Sequence, residues 1–212
     1  TGSLNISDKD AGQDHFQAGD IQGTHGILHL QTDGTWTYDL DNANKDVQAL
    51  GTSASTTNSL TETIKVQSAD GTKHTITVTV NGTNDGPVMN TITAATAAEG
   101  DSNTTTGMIT STDTDTGDIA TYTTTAAVAG VTLNTDGSYS FDPTAAAYNG
   151  LAKGDTQQIT IPVTVIDGSG GTDSKDLVIT LTGTNDNPVL DQIQAQSATE
   201  DGQAVTGQLT ST

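Results

Sequence analysis

The sequence predicts an all-β fold in which antiparallel β-sandwiches follow one another end to end. Three observations support this prediction: a long internal repeat, strands in which β-branched and polar residues alternate, and Asp-Gly turn signals between those strands. The composition agrees, because the chain is rich in Thr and contains 23 Asp but only 3 Glu, a bias that favours turns and strands over helices.

A seven-residue motif defines the repeat. Gly-Thr-Asn-Asp-Gly-Pro-Val at 82–88 recurs as Gly-Thr-Asn-Asp-Asn-Pro-Val at 183–189, an offset of 101 residues. Three further segments keep nearly the same phase: 32–39 with 135–142, 2–10 with 107–115, and 207–212 as the start of a third copy. We therefore expect a first unit at 1–87 that lacks its opening strand, a second unit at 88–189, and the opening strands of a third unit at 190–212.

Strands are predicted where β-branched apolar residues alternate with polar ones. In the first unit Ile76, Val78 and Val80 alternate with threonines, and Val163 and Val165 show the same pattern in the second. About seven such strands per unit, separated by turn signals, are typical of an antiparallel sandwich of the immunoglobulin or cadherin type. The absence of Cys argues against an antibody-type domain with its inter-sheet disulfide.

Two Asp-Gly pairs, Asp33-Gly34 and Asp136-Gly137, lie between alternating segments and predict β-hairpins. The returning strands carry aromatic residues in pairs on one face: Trp36 with Tyr38, and Tyr139 with Phe141. We interpret these rings as core residues, with a stacking surface for sugars or bases as the alternative. A short helical segment is expected after each hairpin, over 42–50 and over 144–151.

Charge and composition exclude several classes of function. The formal net charge is −20, from 26 acidic and 6 basic residues, all of them Lys. No basic patch can form, which argues against a nucleic-acid partner. No apolar run approaches the length of about 18 residues that membrane insertion requires. The absence of Cys excludes disulfides, thiolate metal sites and Cys catalysis.

Acidic and amide side chains recur at three places in each unit. One is an Asp-x-Asp followed by Gly and a further Asp, another is an Asn-Asp pair just before Pro, and the last is an Asp-Gly turn. Their members are Asp113, Asp115 and Asp118 with Asp8, Asp10 and Asp14; Asn84 and Asp85 with Asn185 and Asp186; and Asp167 with Asp70. Two glutamates, Glu99 and Glu200, hold equivalent upstream positions in successive units.

These groups are expected to converge where one unit meets the next, because the linker of the first would lie against the strand-end loops of the second. Gathered carboxylates repel one another, and a hard dication relieves that repulsion. Ca²⁺ takes about six to eight oxygen ligands, which is the ligand type present here, whereas Zn²⁺ prefers His or Cys. The sequence therefore predicts calcium at the junction, and solvated turns with no ion are the alternative.

The same motifs resemble those of known repeat families. The ending Gly-Thr-Asn-Asp-x-Pro-Val, preceded by an Asp-Gly hairpin and a Thr/Val/Ile strand, is similar to VCBS-type repeats of large bacterial surface adhesins, including RTX adhesins exported by type I secretion. The second unit is more similar to cadherin-like repeats, in its Thr-Asp-Thr-Asp-Thr-Gly at 112–117 and its Asn-Asp-Asn-Pro at 185–188.

This resemblance implies an interdomain calcium site. Asn84 and Asp85 would supply the linker ligands, and the following unit would supply Asp113, Asp115 and Asp167 with a backbone carbonyl near Asp118. Two further candidate sets follow by position: Glu99 with Asn185 and Asp186 at the next junction, and Asp8, Asp10 and Glu200, which are separated here from their partner segments. One ion per junction is expected, because the chain has no Arg for a Leu-Asp-Arg-Glu motif and Gly82, Gly86 and Gly183 replace linker residues.

The function expected from this resemblance is structural. The chain would be a calcium-stiffened extender of a large adhesin at the bacterial cell surface, acting in cell adhesion or biofilm, with neighbouring repeats as its partners. The alternative is a module that binds a glycan, protein or other surface, since Thr75, Thr77 and Thr79 share one strand face, as do Thr121, Thr123 and Thr125.

Two further expectations concern catalysis and self-association. All four His residues lie in the first unit: His15, His25, His29 and His74. No carboxylate motif lies at a catalytic spacing from them, so we expect no enzyme activity. The segment 190–212 carries an opening strand without a domain of its own. We expect it to seek an unpaired strand edge, which would associate molecules head to tail.

Overall fold

A computed structural model describes residues 1–211, and nearly all of its regular structure is β-strand. The first unit contains β1 (Gly2–Ser3), β2 (Gly19–Gln22), β3 (Gly26–Leu30), β4 (Thr35–Leu40), the helical turn α1 (Lys45–Gln48), β5 (Ser59–Gln67) and β6 (Lys73–Asn81). The second contains β7 (Val88–Met89), β8 (Ala95–Ala98), β9 (Thr105–Met108), β10 (Ser111–Thr112), β11 (Thr121–Thr123), β12 (Val131–Leu133), β13 (Ser138–Phe141), β14 (Thr156–Ile166) and β15 (Thr172–Thr182). The predicted all-β fold class is confirmed.

Each unit encloses its own hydrophobic core between two sheets. In the first, the sheet β1-β4-β3-β2 faces the hairpin β5–β6, and Leu28, Leu30, Ile64 and Val66 are buried between them. In the second, the sheet β11-β14-β15-β8 faces β12-β13-β9. Its buried members are Met89, Ile109, Tyr122, Tyr139, Phe141, Tyr148, Ile159, Ile161, Val163, Val165, Leu177, Ile179 and Leu181. The proposed boundaries 1–87, 88–189 and 190–212 stay predictions.

Both predicted Asp-Gly hairpins are present. The turns join β3 to β4 and β12 to β13, and Gly34 and Gly137 adopt positive φ angles of 86° and 88°, which other residues rarely tolerate. The preceding Asp side chain accepts a hydrogen bond from the backbone N–H two residues later in each turn, at 2.9 Å. The paired aromatic residues face the cores as expected, with Phe141 fully buried.

The expected helical segments differ from the structure. Over 42–50 only Lys45–Gln48 is helical, begun by Asn44, whose side chain accepts a hydrogen bond from the backbone N–H of Asp46. Over 144–151 the chain forms successive turns, in which the N–H groups of Ala145, Tyr148 and Leu151 each donate to the carbonyl three residues earlier. Three Ala residues between Pro143 and Gly150 are too few to propagate a helix, since nucleating one is costly.

The longest hairpins of the two units occupy equivalent places, but among the described residues only the hairpin of the second unit has a further strand paired to its edge. β14 and β15 pair over 11 residues each, and β8 adds to β15 in parallel, with Ala95 opposite Ile179 and Ala98 opposite Thr182. β5 and β6 form the same hairpin in the first unit, but within residues 1–211 β6 pairs with β5 alone. The outer edge of β6 is therefore unpaired in the described chain.

The segment after Val189 makes few contacts. A single bridge joins Leu190 to Ser211, and the apolar side chains of Leu190, Ile193 and Leu209 are largely exposed. Thr212, the last residue of the expected third unit, lies outside the described residues. Across the part of the chain that the structure covers, no helix has the length and apolar character needed to cross a membrane.

Candidate metal centre

The candidate site lies where the linker between the units crosses the loops of the second unit. Pro87 is buried, and Met89 enters the core of the second unit. The backbone N–H of Met89 donates to Asp173 (2.8 Å), and its carbonyl accepts from the Lys175 ammonium (2.6 Å). These bonds hold the linker against β15, which places Asn84 and Asp85 beside the strand-end loops.

Three carboxylates from separate segments form the centre of the site. Asp113 follows β10, Asp118 precedes β11, and Asp167 follows β14. One carboxylate oxygen of each lies within 4.8 Å of those of the other two. Three loops at the same end of the second unit therefore gather negative charge at one point.

Asn84 and Asp85 connect the linker to this cluster. The Asn84 amide donates to the Asp167 carboxylate at 2.9 Å, and the backbone N–H of Asp85 donates to Asp115 at 3.0 Å. Asp115 is only 2% exposed. The linker of the first unit thus lies in direct contact with carboxylates of the second.

Several buried oxygens of the cluster have no hydrogen-bond partner within the described chain. They are Asn84 Oδ1, Asp113 Oδ2, Asp115 Oδ1 and Asp118 Oδ2. Buried acceptors without a donor are rare in folded proteins, and buried carboxylates without a counter-charge are strongly unfavourable. Buried oxygens without a donor are ligands that a hard cation accepts, so the residues present fit Ca²⁺ and do not fit Zn²⁺.

The pKa values of two carboxylates in the cluster are shifted in opposite directions. Burial raises the pKa of Asp115, and the charges of Asp113, Asp85 and Asp118 raise it further, against the hydrogen bond from the N–H of Asp85. Burial also acts to raise the pKa of Asp167. It is outweighed by the Asn84 amide and the N–H groups of 169–171, so that pKa is lowered. The surroundings of Asp167 therefore favour its ionised form, whereas those of Asp115 disfavour its ionised form.

Glycines let backbone and side chains approach closely here. A Cβ atom on Gly171 would lie 2.3 Å from the Asp167 carboxylate, and one on Gly168 would lie 2.7 Å from that of Asp118. Gly51, from the first unit, is similarly close to Asp115, at 2.9 Å. Any side chain at these positions would displace a candidate ligand.

The structure brings together six of the nine main candidates: Asn84, Asp85, Asp113, Asp115, Asp118 and Asp167. Asp118 differs from the expectation in one respect, because its carboxylate, and not only a nearby backbone carbonyl, points into the cluster. Whether any of these residues binds a metal stays a prediction.

Glu99 lies at the other end of β14–β15, consistent with a separate junction. It is 4% exposed, its Oε2 accepts from the backbone N–H of Thr184 at 3.0 Å, and its Oε1 has no partner within residues 1–211. Asn185 and Asp186, its expected companions, are exposed. Four other acidic candidates are exposed as well: Asp8, Asp10, Asp70 and Glu200.

The loop 51–58 of the first unit contributes contacts that the sequence did not indicate. The Ser53 hydroxyl donates to Asp118 at 3.3 Å, and Thr52 shares a hydrogen bond with Ser169 at 2.9 Å. The backbone N–H of Thr116 donates to the Ala49 carbonyl at 3.1 Å. A Ser/Thr/Gly-rich loop gives no sequence signal of its contacts, so only the fold reveals this second bridge between the units.

The histidines lie apart from the cluster. His29 sits between two exposed carboxylates, with Nδ1 2.6 Å from Asp20 and Nε2 3.3 Å from Asp39. His25 lies 3.8 Å from the buried carboxylate of Glu62, which also accepts hydrogen bonds from the Tyr38 hydroxyl and the N–H of Thr24. These contacts tie β2, β3 and β4 to one another and to β5, which is a structural role.

Comparisons with known proteins agree with this architecture. Residues 1–82 match the family model of bacterial cadherin-like domains, and residues 84–180 match that of bacterial Ig domains. The resemblance to cadherin-like tandem repeats is thereby confirmed. The cadherin-like match falls on the first unit, whose motifs resemble VCBS-type repeats, and the Ig match falls on the second. No curated protein matches the chain at a significant level.

Several cadherin-repeat structures share this fold. Protocadherin gamma B7 domains 1–4 are 15% identical (TM-score 0.52, 89% of this chain and 48% of that chain). Mouse cadherin-23 EC22–24 is 14% identical (TM-score 0.53, 86% and 57%), and the protocadherin gammaB7 EC3–6 cis-dimer structure is 13% identical (TM-score 0.54, 92% and 47%). The chain thus spans about half the length of these structures, and at such identity the likeness concerns the fold.

The matched families limit the classes of function. Cadherin-like and bacterial Ig domains are generally structural modules without catalytic activity, and they are typical of extracellular or surface proteins. Cadherin-like domains generally bind Ca²⁺, and the acidic cluster occupies the place where one repeat meets the next.

Proposed function

We propose that this chain is an extender segment of a large secreted bacterial adhesin. The proposal starts from its two family matches, a bacterial cadherin-like domain at 1–82 and a bacterial Ig domain at 84–180. Calcium bound at the junction of the two domains would make the pair rigid. The role is structural: the segment sets the distance and direction between an adhesive region and the cell.

One observation supports this proposal most directly. The Asn84 amide of the linker bonds to Asp167 in the acidic cluster of the second unit, and Asn84 Oδ1 and three carboxylate oxygens there have no partner within the described residues. A cation there would be held by the linker through Asn84 and by the second unit through Asp113, Asp118 and Asp167. Such a site ties the orientation of one unit to the other, which a site within a single unit would not do.

The chain's own residues explain why the junction needs an ion to be rigid. Without one, the carboxylates of Asp113, Asp115 and Asp118 repel one another at short range in a buried setting. A bound cation supplies the compensating charge. The hydrogen bonds from the Asn84 amide and the Asp85 N–H then hold the linker against the cluster.

The proposed location outside the cell follows from calcium supply. Extracellular sites of this type bind with Kd on the order of 10⁻⁴–10⁻³ M, so they fill outside the cell and stay empty in the cytosol. An unfilled, more pliable chain suits export, and type I secretion is the proposed route. Ion binding to the native state alone would then favour folding after export.

Calorimetry and thermal unfolding with and without calcium test the proposal. At a concentration of about 100 times Kd, calcium should stabilise the chain by about 2.7 kcal/mol and raise Tm by roughly 10 °C over a chelator control. Asp113→Asn should abolish most of this shift. Asp136→Asn, in an exposed turn of the same unit, should keep it. Equal Tm values in calcium and chelator for the unsubstituted chain would refute the proposal.

A further inference from the structure

A buried carboxylate in the first unit lies apart from the acidic cluster. Glu62 is on β5 among the core-facing residues of that strand and is 5% exposed. Its carboxylate accepts hydrogen bonds from the Tyr38 hydroxyl and from the backbone N–H groups of Thr24 and His25, in the turn between β2 and β3. A Cβ atom on Gly23 would lie 2.3 Å from it, so this turn closes tightly around the carboxylate.

The second unit shows that the same place in the fold can be apolar. When the hairpins β5–β6 and β14–β15 are aligned, Ile159 occupies the position of Glu62. Phe141 likewise replaces Tyr38, and both of these apolar side chains are buried. Burying a charge costs free energy that well-packed apolar side chains in its place do not cost. The fold itself therefore does not require a carboxylate here.

The surroundings of Glu62 nevertheless favour its ionised form. Burial acts to raise its pKa, but the hydrogen bonds from Tyr38, Thr24 and His25 and the charge of His25 lower it overall. Within residues 1–211 no Lys forms an ion pair with this carboxylate, and His25 is the group beside it that can carry a positive charge. The charge state of His25 therefore decides whether the buried carboxylate has a counter-charge.

The His25 ring lies between two carboxylates. Its Nδ1 atom is buried, has no hydrogen-bond partner within the described residues and lies 3.8 Å from Glu62 Oε2. Its Nε2 atom lies 3.8 Å from Asp46 Oδ2, on α1. From β4 the nearby titratable group is the Tyr38 hydroxyl, which donates to Glu62. A neutral imidazole has one N–H donor and a charged one has two, so only the charged ring presents a donor to both carboxylates.

The helical turn α1 connects this ring to the junction between the units. At its start, the Asn44 amide donates to the Thr24 carbonyl at 3.1 Å. At its end, the Ala49 carbonyl accepts the N–H of Thr116 in the second unit at 3.1 Å. Asp46 lies on the same turn, so a contact made by its carboxylate bears on the position of the Ala49 carbonyl.

We propose that His25 is a pH-dependent switch, in which the protonated ring bridges Glu62 of β5 and Asp46 of α1 and thereby holds α1 against the first unit. The neutral ring loses one of these contacts, so α1 and the Ala49 carbonyl are held less firmly. An imidazole ordinarily exchanges its proton near about pH 6.5, so mild acid closes the switch. The contacts involved contain no ion, and the switch stands independently of calcium binding.

The direction of the pH dependence follows from the partners of the ring. Folding places two carboxylates beside a charged His25, and the unfolded chain does not keep them there. This contact therefore stabilises the chain at low pH, and the stabilisation is lost as pH rises and the ring loses its proton. His29 acts in the same direction through Asp20 and Asp39, so the effect of His25 is measured as a difference between variants.

Thermal unfolding of matched variants in chelator measures the contact. At about pH 5.5 the Tm of the unsubstituted chain should exceed that of His25→Gln by about 4 °C, and at about pH 8 the two should agree within roughly 1 °C. Asp46→Asn, at an exposed side chain, should remove about half of that difference with the fold intact. His74→Gln, at an exposed histidine of the same unit, is the control and should keep the full pH dependence. A Tm difference between the unsubstituted chain and His25→Gln that is equal at both pH values would overturn the switch.

NMR in chelator tests the connection to the junction. As pH falls, the amide signals of residues 45–49 and of Thr116 should move with the same midpoint as the His25 ring. Asp46→Asn should abolish this movement, because it removes the carboxylate that couples the ring to α1. A Thr116 signal that stays fixed, or that still moves in Asp46→Asn, would overturn the connection. Because neither measurement uses calcium, failure of the switch would leave the proposed function intact.

Discussion

At the scale of single residues, the junction contains two carboxylates whose pKa values are shifted in opposite directions. Asp167 has its charge stabilised by N–H donors and the Asn84 amide, so its pKa is lowered. Asp115 is buried, its pKa is raised, and one of its oxygens has no partner in the described chain. The surroundings of Asp115 therefore disfavour its charge, and we expect a bound cation to offset this.

This difference predicts that Asp115→Asn changes stability in opposite directions with and without calcium. In chelator the substitution removes a repelled charge while an amide oxygen still accepts the N–H of Asp85, so Tm should rise by a few degrees, about 1 kcal/mol. In saturating calcium it removes a ligand, and Tm should fall below that of the unsubstituted chain. Thermal unfolding in both buffers checks this, and a shift of the same sign in both would contradict it.

His29 provides a pH-dependent contact away from the junction. Its hydrogen bond with Asp20 raises its pKa above the ordinary 6.5, desolvation opposes this rise, and the charges of Asp20 and Asp39 add to it. The contribution to stability is therefore complete below pH 6.5 and is lost as pH rises through the raised pKa. NMR titration of the His29 ring should give a midpoint above 6.5 that Asp20→Asn lowers, and an unchanged midpoint would contradict the assignment.

At the scale of elements, local signals explain what could be predicted from sequence. The Asp-Gly turns require a positive φ at Gly34 and Gly137, and alternation defines the buried face of each strand, so both hairpins and most of the core were predictable. The helix expected over 144–151 is replaced by turns. Tyr148 in these turns is buried, and its hydroxyl donates to the Ala129 carbonyl at 2.8 Å, a long-range contact that the local pattern does not indicate.

The sequence predicts only those residues of the site whose motifs recur in both units. The Asp-x-Asp and Asn-Asp motifs recur in phase, so their convergence could be inferred from the order of the units. The contact of Ser53 with Asp118 depends on how the loop after α1 crosses the junction, and nothing in the first unit's sequence marks it. Long-range contacts made by generic polar residues need the three-dimensional structure.

The loop after β14 allows a test of how backbone space controls the site. Gly171→Ala would place a methyl group 2.3 Å from the Asp167 carboxylate and 3.0 Å from the Asn84 amide, so both must move. Calcium affinity measured by calorimetry should weaken about tenfold, as is typical of substitutions that disturb the groups orienting a metal ligand. Gly150→Ala is the control, because its Cβ would meet no atom of the described chain within 4 Å. Equal affinities for the two variants would contradict the account.

At the scale of the whole molecule, two kinds of contact join the units. One is the acidic cluster, which is repulsive without a cation. The other is the loop 51–58, whose hydrogen bonds to Asp118 and Ser169 need no ion. A single linker at 82–87 connects two separate cores, so the balance of these contacts decides whether the pair moves as one body.

Small-angle scattering should therefore distinguish three states of the chain. In chelator at low salt, repulsion in the cluster and the net charge of −20 should broaden the distribution of interatomic distances. Sodium chloride at 0.15 M screens exposed charges beyond about 8 Å but acts less on buried ones, so it should narrow the distribution only in part. Millimolar calcium should give the narrowest distribution, because a cation neutralises the buried carboxylates directly. Measurements at low protein concentration separate this effect from association, and profiles that coincide in chelator and calcium would contradict a junction made rigid by the ion.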